Sequence, residues 1–267
     1  METPVLNRSL DVAPWLDPVA WRLPGTFPLD PADWLRVSDA FAGQMALRDG
    51  LIAGRPADVH AMLPEAEEAA AECLEFVLGH CGQTQGYEKT ESTVLRPDGM
   101  LVPVDRARPL LTIGRLVQED VCILQRIVGD EHVLTGAILC FPASWTLSEK
   151  IGRPMTRIHR PVREYGDTVA PRVQRMFDRM RPETPLWRAN ALLYDHPRLH
   201  SPKAEASGER HLSDEGRFLR SERQTLRKLP RTGAIVFAIH TVLVEIADLT
   251  AEQRATLERV TRGRETP

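Results

Sequence analysis

Apolar positions along this chain change their spacing near residue 90. Before it, Asp30 and Pro31 lead into ADWLRVSDAFAGQMALRD, where a capping carboxylate followed by proline at the first helical position predicts a helix start. A second helix is predicted over Pro64 to Leu78, where EAEEAAAECLEFVL is rich in Ala, Leu and Glu and Gly79 closes it. After Thr90 the apolar runs shorten and become β-branched. TVLRPDGMLVPV sets a Pro-Asp-Gly turn between two such runs, and VCILQRIV and HVLTGAILCF flank Gly129-Asp130, so both stretches read as hairpins.

An irregular, helix-containing stretch follows Phe141 and runs to Pro161. Val169, Val173, Met176 and Phe177 then recur at helical spacing, which predicts a helix over about Thr168 to Met180. LWRANALLY, FLRSERQTL and GAIVFAIHTVLVEI return to strand composition, and LTAEQRATLERVTRG reads as a closing helix capped at Thr250. Strands, then helices, then three more strands is an α+β order with an antiparallel sheet, here preceded by helices. The expected division is an N-terminal arm and helices over 1–86, a sheet domain over 87–247 and a C-terminal helix over 248–267. Trp15, Trp21 and Phe27, spaced between prolines, read as an ordered arm, and Pro197 to Gly216 as the most loop-like stretch.

Composition narrows the class. With 42% apolar and 27% charged residues the chain has enough apolar side chains for a globular core, so disorder is not expected. No apolar run reaches the roughly 20 residues needed to span a bilayer, and the N-terminus lacks a signal-peptide pattern, so the expectation is a cytoplasmic protein with no membrane contact. A formal charge of −3 without a clear basic run gives no basis for a nucleic-acid partner. Cys73, Cys81, Cys122 and Cys140 lack Cys-x-x-Cys spacing and read as reduced, structural residues. Gly-x-Gly-x-x-Gly, P-loop, Gly-x-Ser-x-Gly and His-Glu-x-x-His patterns are missing, which sets nucleotide binding, serine hydrolysis and zinc proteolysis aside.

The candidate chemistry centres on His159, which follows a strand-like segment and stands among Arg157, Arg160 and Arg163. A neutral imidazole can ligate a haem iron, and nearby cations can meet its propionates. The plainer alternative is a loop histidine that is only hydrogen-bonded. His240, in a strand, competes for the same role. His196 and His200 have i, i+4 spacing, but Pro197 and Pro202 argue against a helix there, so they read as loop histidines. Arg220, Glu222 and Gln224 alternate along a strand and share one face, which for a polar row is ordinarily the solvent face.

FPASWTLSEKIGRPMTRIHRPV over 141–162, Trp187-Arg188-Ala189-Asn190, and FLRSERQTLRKLPRTGAIVFAI over 218–239 together resemble one family. From about Tyr87 to Val244 the chain is similar to the haem-binding alpha subunit of the haem-dependent oxidative N-demethylases. The resemblance implies a PAS-like antiparallel sheet with haem b held between sheet and connecting helices. It favours His159 as axial ligand of the iron; Arg157 and Arg160, close to His159, and Arg188, from a neighbouring strand, are then the candidates to meet the propionates. The implied reaction uses O2 to oxidise an N-methyl group of a small, dimethylamine-like secondary amine, giving formaldehyde and the shorter amine.

Such an amine is a cation near neutral pH, so its pocket needs a carboxylate or an aromatic face, and Glu222 and Asp195 are the candidate carboxylates. Electrons must come from a separate NAD(P)H-dependent reductase subunit, because the chain has no nicotinamide or flavin motif. Two departures stand out. Ala191 occupies the place of a tryptophan after Arg-x-Asn, which bears on the pocket, and Arg163 replaces the second proline of Ile-His-x-Pro-Val-Pro. The competing readings are a non-catalytic haem-PAS sensor, disfavoured by the lack of an output segment, and a haem-free assembly subunit.

Overall fold

Hairpin signals and one long crossover account for the main sheet. In the computed structural model, which describes residues 4–160, 165, 168–207 and 216–262, the chain begins with β1 (Phe27–Pro28), α1 (Phe41–Gly54), α2 (Pro56–Val59), β2 (His60–Met62) and α3 (Glu67–Cys81). There follow β3 (Glu88–Lys89), β4 (Thr93–Leu95), β5 (Leu101–Pro103) and α4 (Pro109–Leu116). Next come β6 (Asp120–Gln125), β7 (Val133–Ile138), α5 (Leu147–Lys150), α6 (Met155–Ile158) and α7 (Ala170–Arg179). The chain ends with β8 (Leu186–Tyr194), β9 (Phe218–Lys228), β10 (Ile235–Glu245) and α8 (Ala251–Arg262).

Among the described residues, seven strands form one antiparallel sheet in the order β1-β8-β9-β10-β6-β7-β2, and β3, β4 and β5 form a small second one. This is the α+β architecture with N-terminal helices that the pattern predicts. Gly129, at φ +70°, supplies the left-handed residue between β6 and β7. Both strands end where the Gly129-Asp130 signal places the turn.

After β7 the chain crosses one face of the sheet and re-enters it as β8 on the other side of β6. Leu147, Met155, Ile158, Val173 and Phe177 from α5, α6 and α7 pack there on Cys122, Leu124, Leu226 and Ile235. The opposite face is covered by α1, α3 and α4, through residues such as Leu51, Leu74, Val77 and Ile113 against Val121, Ile123, Val236 and Ala238. At one end of that face the N-terminal arm and α8 set Leu10, Trp15 and Leu257 on Leu219, Val242 and Val244. Trp15 Nε1 donates to the Gln253 carbonyl at 2.9 Å, so the arm is laid on its own chain. Thr250 and Gln253 cap α8 reciprocally, Gln253 N donating to Thr250 Oγ1 and Thr250 N to Gln253 Oε1.

Two helix expectations change. Asp30 accepts from Ala32 N as a cap should, but only a 3-10 turn over Pro31–Asp33 follows, and the helix proper begins at Phe41. The cause is tertiary. Arg36 N donates to Glu119 Oε1 and Ser38 N to Gln118 Oε1, so amides that a helix would use are taken by side chains far along the chain. The second helix runs through Gly79 to Cys81, with Gly82 N closing on the Leu78 carbonyl. All four cysteines are free and buried, and burial pushes the thiols of Cys73, Cys81 and Cys140 up to about 12, which makes them poor nucleophiles. Among the described residues no helix is long and apolar enough to cross a membrane.

Candidate functional site

A single helical turn decides where His159 points. Pro154 is extended, at φ −69° and ψ 158°, and leads into α6, after which His159 sits as the C-terminal cap. Its Nδ1 lies 3.0 Å from the carbonyl oxygen of Met155, four residues back. A carbonyl only accepts, so this contact places the proton on Nδ1 and the lone pair on Nε2. Nε2 has no hydrogen-bond partner among the described residues, and the ring stacks on Tyr165 at 4.1 Å between centroids and 20° between planes. Burial pushes the imidazole below its ordinary value; the Met155 hydrogen bond opposes this, while the charges of Lys150 and Arg188 reinforce it. The ring is therefore neutral near pH 7, with an oriented lone pair, as metal ligation requires.

The turn is also held from outside. Lys150, 3% exposed, donates to the Ile158 carbonyl at 3.0 Å and to Glu205, while Arg157 spans both Glu205 oxygens at 3.0 Å each. Arg157 thus already has a carboxylate partner within the chain, and Arg160 is exposed. Arg157 first, then Lys150, hold the Glu205 carboxyl down at about 2, against an ordinary value of 4.5.

A depressed carboxyl stabilises the fold fully above its unfolded value and loses that contribution as pH falls through the folded one. Glu205→Gln is therefore expected to lower the thermal midpoint by about 1–3 °C above pH 4.5, the small size reflecting solvent screening. The difference from the unmodified protein should narrow toward pH 2. Scanning calorimetry across that range checks both parts.

Facing α5 to α7 is a polar row on three adjacent strands. In register, Arg188 opposes Gln224, while Asn190 and Thr241 both oppose Glu222. Arg220, Glu222 and Gln224 are only 1%, 6% and 7% exposed. The expectation of a solvent face is corrected, because the crossover helices pack on the apolar part of this side and Arg220 donates to the carbonyls of Phe141 and Leu199 from the segments flanking them. Buried polar groups must be bonded, and these form a network. Glu222 Oε1 accepts from Arg220 Nε at 3.1 Å, and Glu222 Oε2 accepts from Asn190 Nδ2 at 3.2 Å and Gln224 Nε2 at 3.1 Å. Arg188 donates to Gln224 Oε1 and to the Pro24 carbonyl.

Two features of this row remain open. Arg188 has no carboxylate partner among the described residues, and burial pushes its guanidinium below the ordinary value, with Glu222 opposing. Asn190 Oδ1 is buried and accepts from no group among the described residues.

The remaining candidates lie elsewhere. Asp195 is exposed, one residue past β8 and five beyond Asn190, so at the usual strand rise it stands roughly 16 Å along from the position opposite Glu222. His240 opposes Arg223 on the other face of the sheet, where its Nδ1 meets Glu119 Oε1 at 3.0 Å. His196 and His200 lie outside any helix, and His200 Nδ1 meets the Cys140 carbonyl at 2.8 Å. Ala191 also belongs to the opposite face, against Leu10 and Trp15 of the arm. Its departure from the family pattern therefore does not touch the side on which His159 and Arg188 lie. Arg163, with Pro161 and Val162, lies outside the described residues.

Lys150 carries no signal in the sequence, and Asn190 and Gln224, visible there in a motif and a polar row, are given no role by it, although strand alternation alone puts Arg188 and Asn190 together and Ala191 opposite. The donor set fits a haem: a neutral, oriented imidazole and a half-buried guanidinium with no carboxylate partner among the described residues match an iron and a propionate. A family model described as haem-dependent oxidative N-demethylase, alpha subunit-like, matches residues 25–266. Its name carries haem dependence, oxidative demethylation and a place in a multi-subunit assembly. With nearly the whole chain matched, this protein belongs to that family.

Proposed function

We propose that this chain is the haem-bearing subunit of an oxidative N-demethylase for a small, dimethylamine-like secondary amine. The observation that carries the reading is the Met155–His159 contact, which leaves a neutral imidazole with its Nε2 lone pair unused. In this reading the sheet and crossover helices form a PAS-like domain that holds haem b, His159 is the iron ligand, and Arg188 meets a propionate. Arg157 and Arg160 would meet propionates only at the rim. When bound, the haem supplies the iron at which dioxygen is activated. The chain's own groups hold the imidazole proton on Nδ1, neutralise the propionate in a buried setting and orient the amine methyl carbon.

The balance is one N-methyl amine, O2, two electrons and two protons in, and the shorter amine, formaldehyde and water out. The C–N bond breaks when the carbinolamine collapses. The electrons are assigned to a separate NAD(P)H-dependent reductase subunit, and the assembly to the cytoplasm.

An ultraviolet–visible spectrum of the purified protein, with haem supplied during expression, tests this first. A stoichiometric Soret band that shifts with dithionite, followed by formaldehyde release from dimethylamine with a surrogate reductant, is the expected result. A colourless protein that refuses added haem would leave an assembly role instead. A haem protein with no amine turnover would point to sensing.

A further inference from the structure

The buried polar row leaves one acceptor without a donor. The orientation of Asn190 is set by chemistry, because Glu222 Oε2 only accepts, so Nδ2 must face it and Oδ1 must face away. Gln224 obeys the same rule, with Nε2 on Glu222 and its outward oxygen on Arg188. Of the two amides that Glu222 orients, one oxygen is used within the chain and the other, Asn190 Oδ1, is buried and unmatched. A buried acceptor without a donor is costly, so a ligand or an ordered water must complete it. It lies on the face beneath the crossover helices, one alternate position from Arg188, whose charge acts on His159.

The charges of the row limit what that ligand can be. Glu222 already accepts three donors, one of them the Arg220 guanidinium. Even with Arg188 engaged by a propionate, Arg220 and Glu222 offset each other, and among the described residues of the row no negative charge is left for an ammonium. We propose that Asn190 Oδ1 accepts the substrate N–H, that the site takes the neutral form of a secondary N-methyl amine, and that Glu222 is the positioning residue that turns Asn190 toward it. This rests on the demethylase reading but replaces direct carboxylate–ammonium contact with an amide acceptor. A neutral tertiary amine has no N–H to donate, and a quaternary ammonium has none in any form.

Calorimetric titration with dimethylamine, trimethylamine and tetramethylammonium tests this on haem-loaded and haem-free protein. The unmodified protein should bind dimethylamine about tenfold more tightly than trimethylamine, the difference one hydrogen bond supplies. Tetramethylammonium should not bind. Asn190→Leu should erase the preference while leaving the Soret spectrum unchanged, and Asn190→Ser serves if the leucine variant does not fold.

Glu222→Gln should also lose the preference, because its amide N–H competes for the Asn190 oxygen. Equal binding of the two methylamines, or a preference surviving in both Asn190 variants, would overturn the proposal and leave Oδ1 to an ordered water. If no haem is taken up but the Asn190-dependent preference holds, the demethylase reading falls and this one stands.

Discussion

His159→Ala is expected to give a folded protein that no longer retains haem through gel filtration, with affinity reduced at least about 100-fold. Removing an outer-shell partner of a metal-bound histidine already costs roughly 10–100-fold in metal affinity, so loss of the ligand itself should exceed that. The fold should survive. The ring's contacts are one hydrogen bond to Met155 and a stack on Tyr165, while the turn that carries it is held separately by Lys150 on the Ile158 carbonyl. Added imidazole should restore a Soret band in the variant, because the space vacated beside Tyr165 has the shape of the lost ring.

His240→Ala is the matched control. It should keep the haem spectrum and lose stability, since the buried Glu119, on the other face, would keep only the Arg36 amide as a donor. A His159→Ala protein with an unchanged spectrum would remove His159 as the ligand and the demethylase assignment of its pocket with it.

What the sequence reveals of this arrangement follows from the range of each signal. Gly129-Asp130, the Pro-Asp-Gly turn, the recurrence from Val169 to Phe177 and the Thr250 cap are local, and the structure has a turn or helix at each. The helix expected from Asp30 fails because Glu119 and Gln118 compete for its amides, and nothing near Arg36 announces partners about eighty residues away.

The polar row at Arg220, Glu222 and Gln224 reads as a solvent face because the elements that cover part of it are short. α5 and α6 have four residues each, too few for any apolar period to show. Its basic surroundings mark His159 as a candidate, and family resemblance alone favours a ligand over a hydrogen-bonded loop histidine, although the i, i−4 relation to Met155 needs no more than a turn ending at the histidine. The parity of β8 was available throughout. It sets Ala191 apart from Arg188 and Asn190 by strand alternation alone.

Arg48→Met is expected to destabilise the protein by about 3–5 kcal/mol, the cost of stripping one partner from a buried ion pair. Arg48 is 0% exposed and Asp120 1%. The guanidinium donates to Asp120 Oδ1 at 2.6 Å and to the carbonyls of Gly114, Gln118 and Glu119, so α1 is fastened both to α4 and to the start of β6. Asp120 in turn accepts from Cys140 N and Phe141 N at 2.7 and 2.8 Å. Methionine fills the volume but leaves the carboxylate and three carbonyls short of donors.

Urea titration should show the midpoint falling at constant slope, whereas Arg55→Met, which breaks the exposed Arg55–Asp58 pair, should cost less than about 1 kcal/mol. Equal effects of the two substitutions would mean that Arg48 does not carry the load its burial implies. The bonding continues past Asp120: Arg220 donates to the Phe141 carbonyl and to Glu222, which orients Asn190 and Gln224. A helix of the N-terminal third is therefore joined, bond by bond, to the polar row under the crossover helices. Loosening Arg48 should weaken amine selection as well as the fold, and in an Arg48→Met protein held below its unfolding temperature the preference for dimethylamine over trimethylamine should shrink.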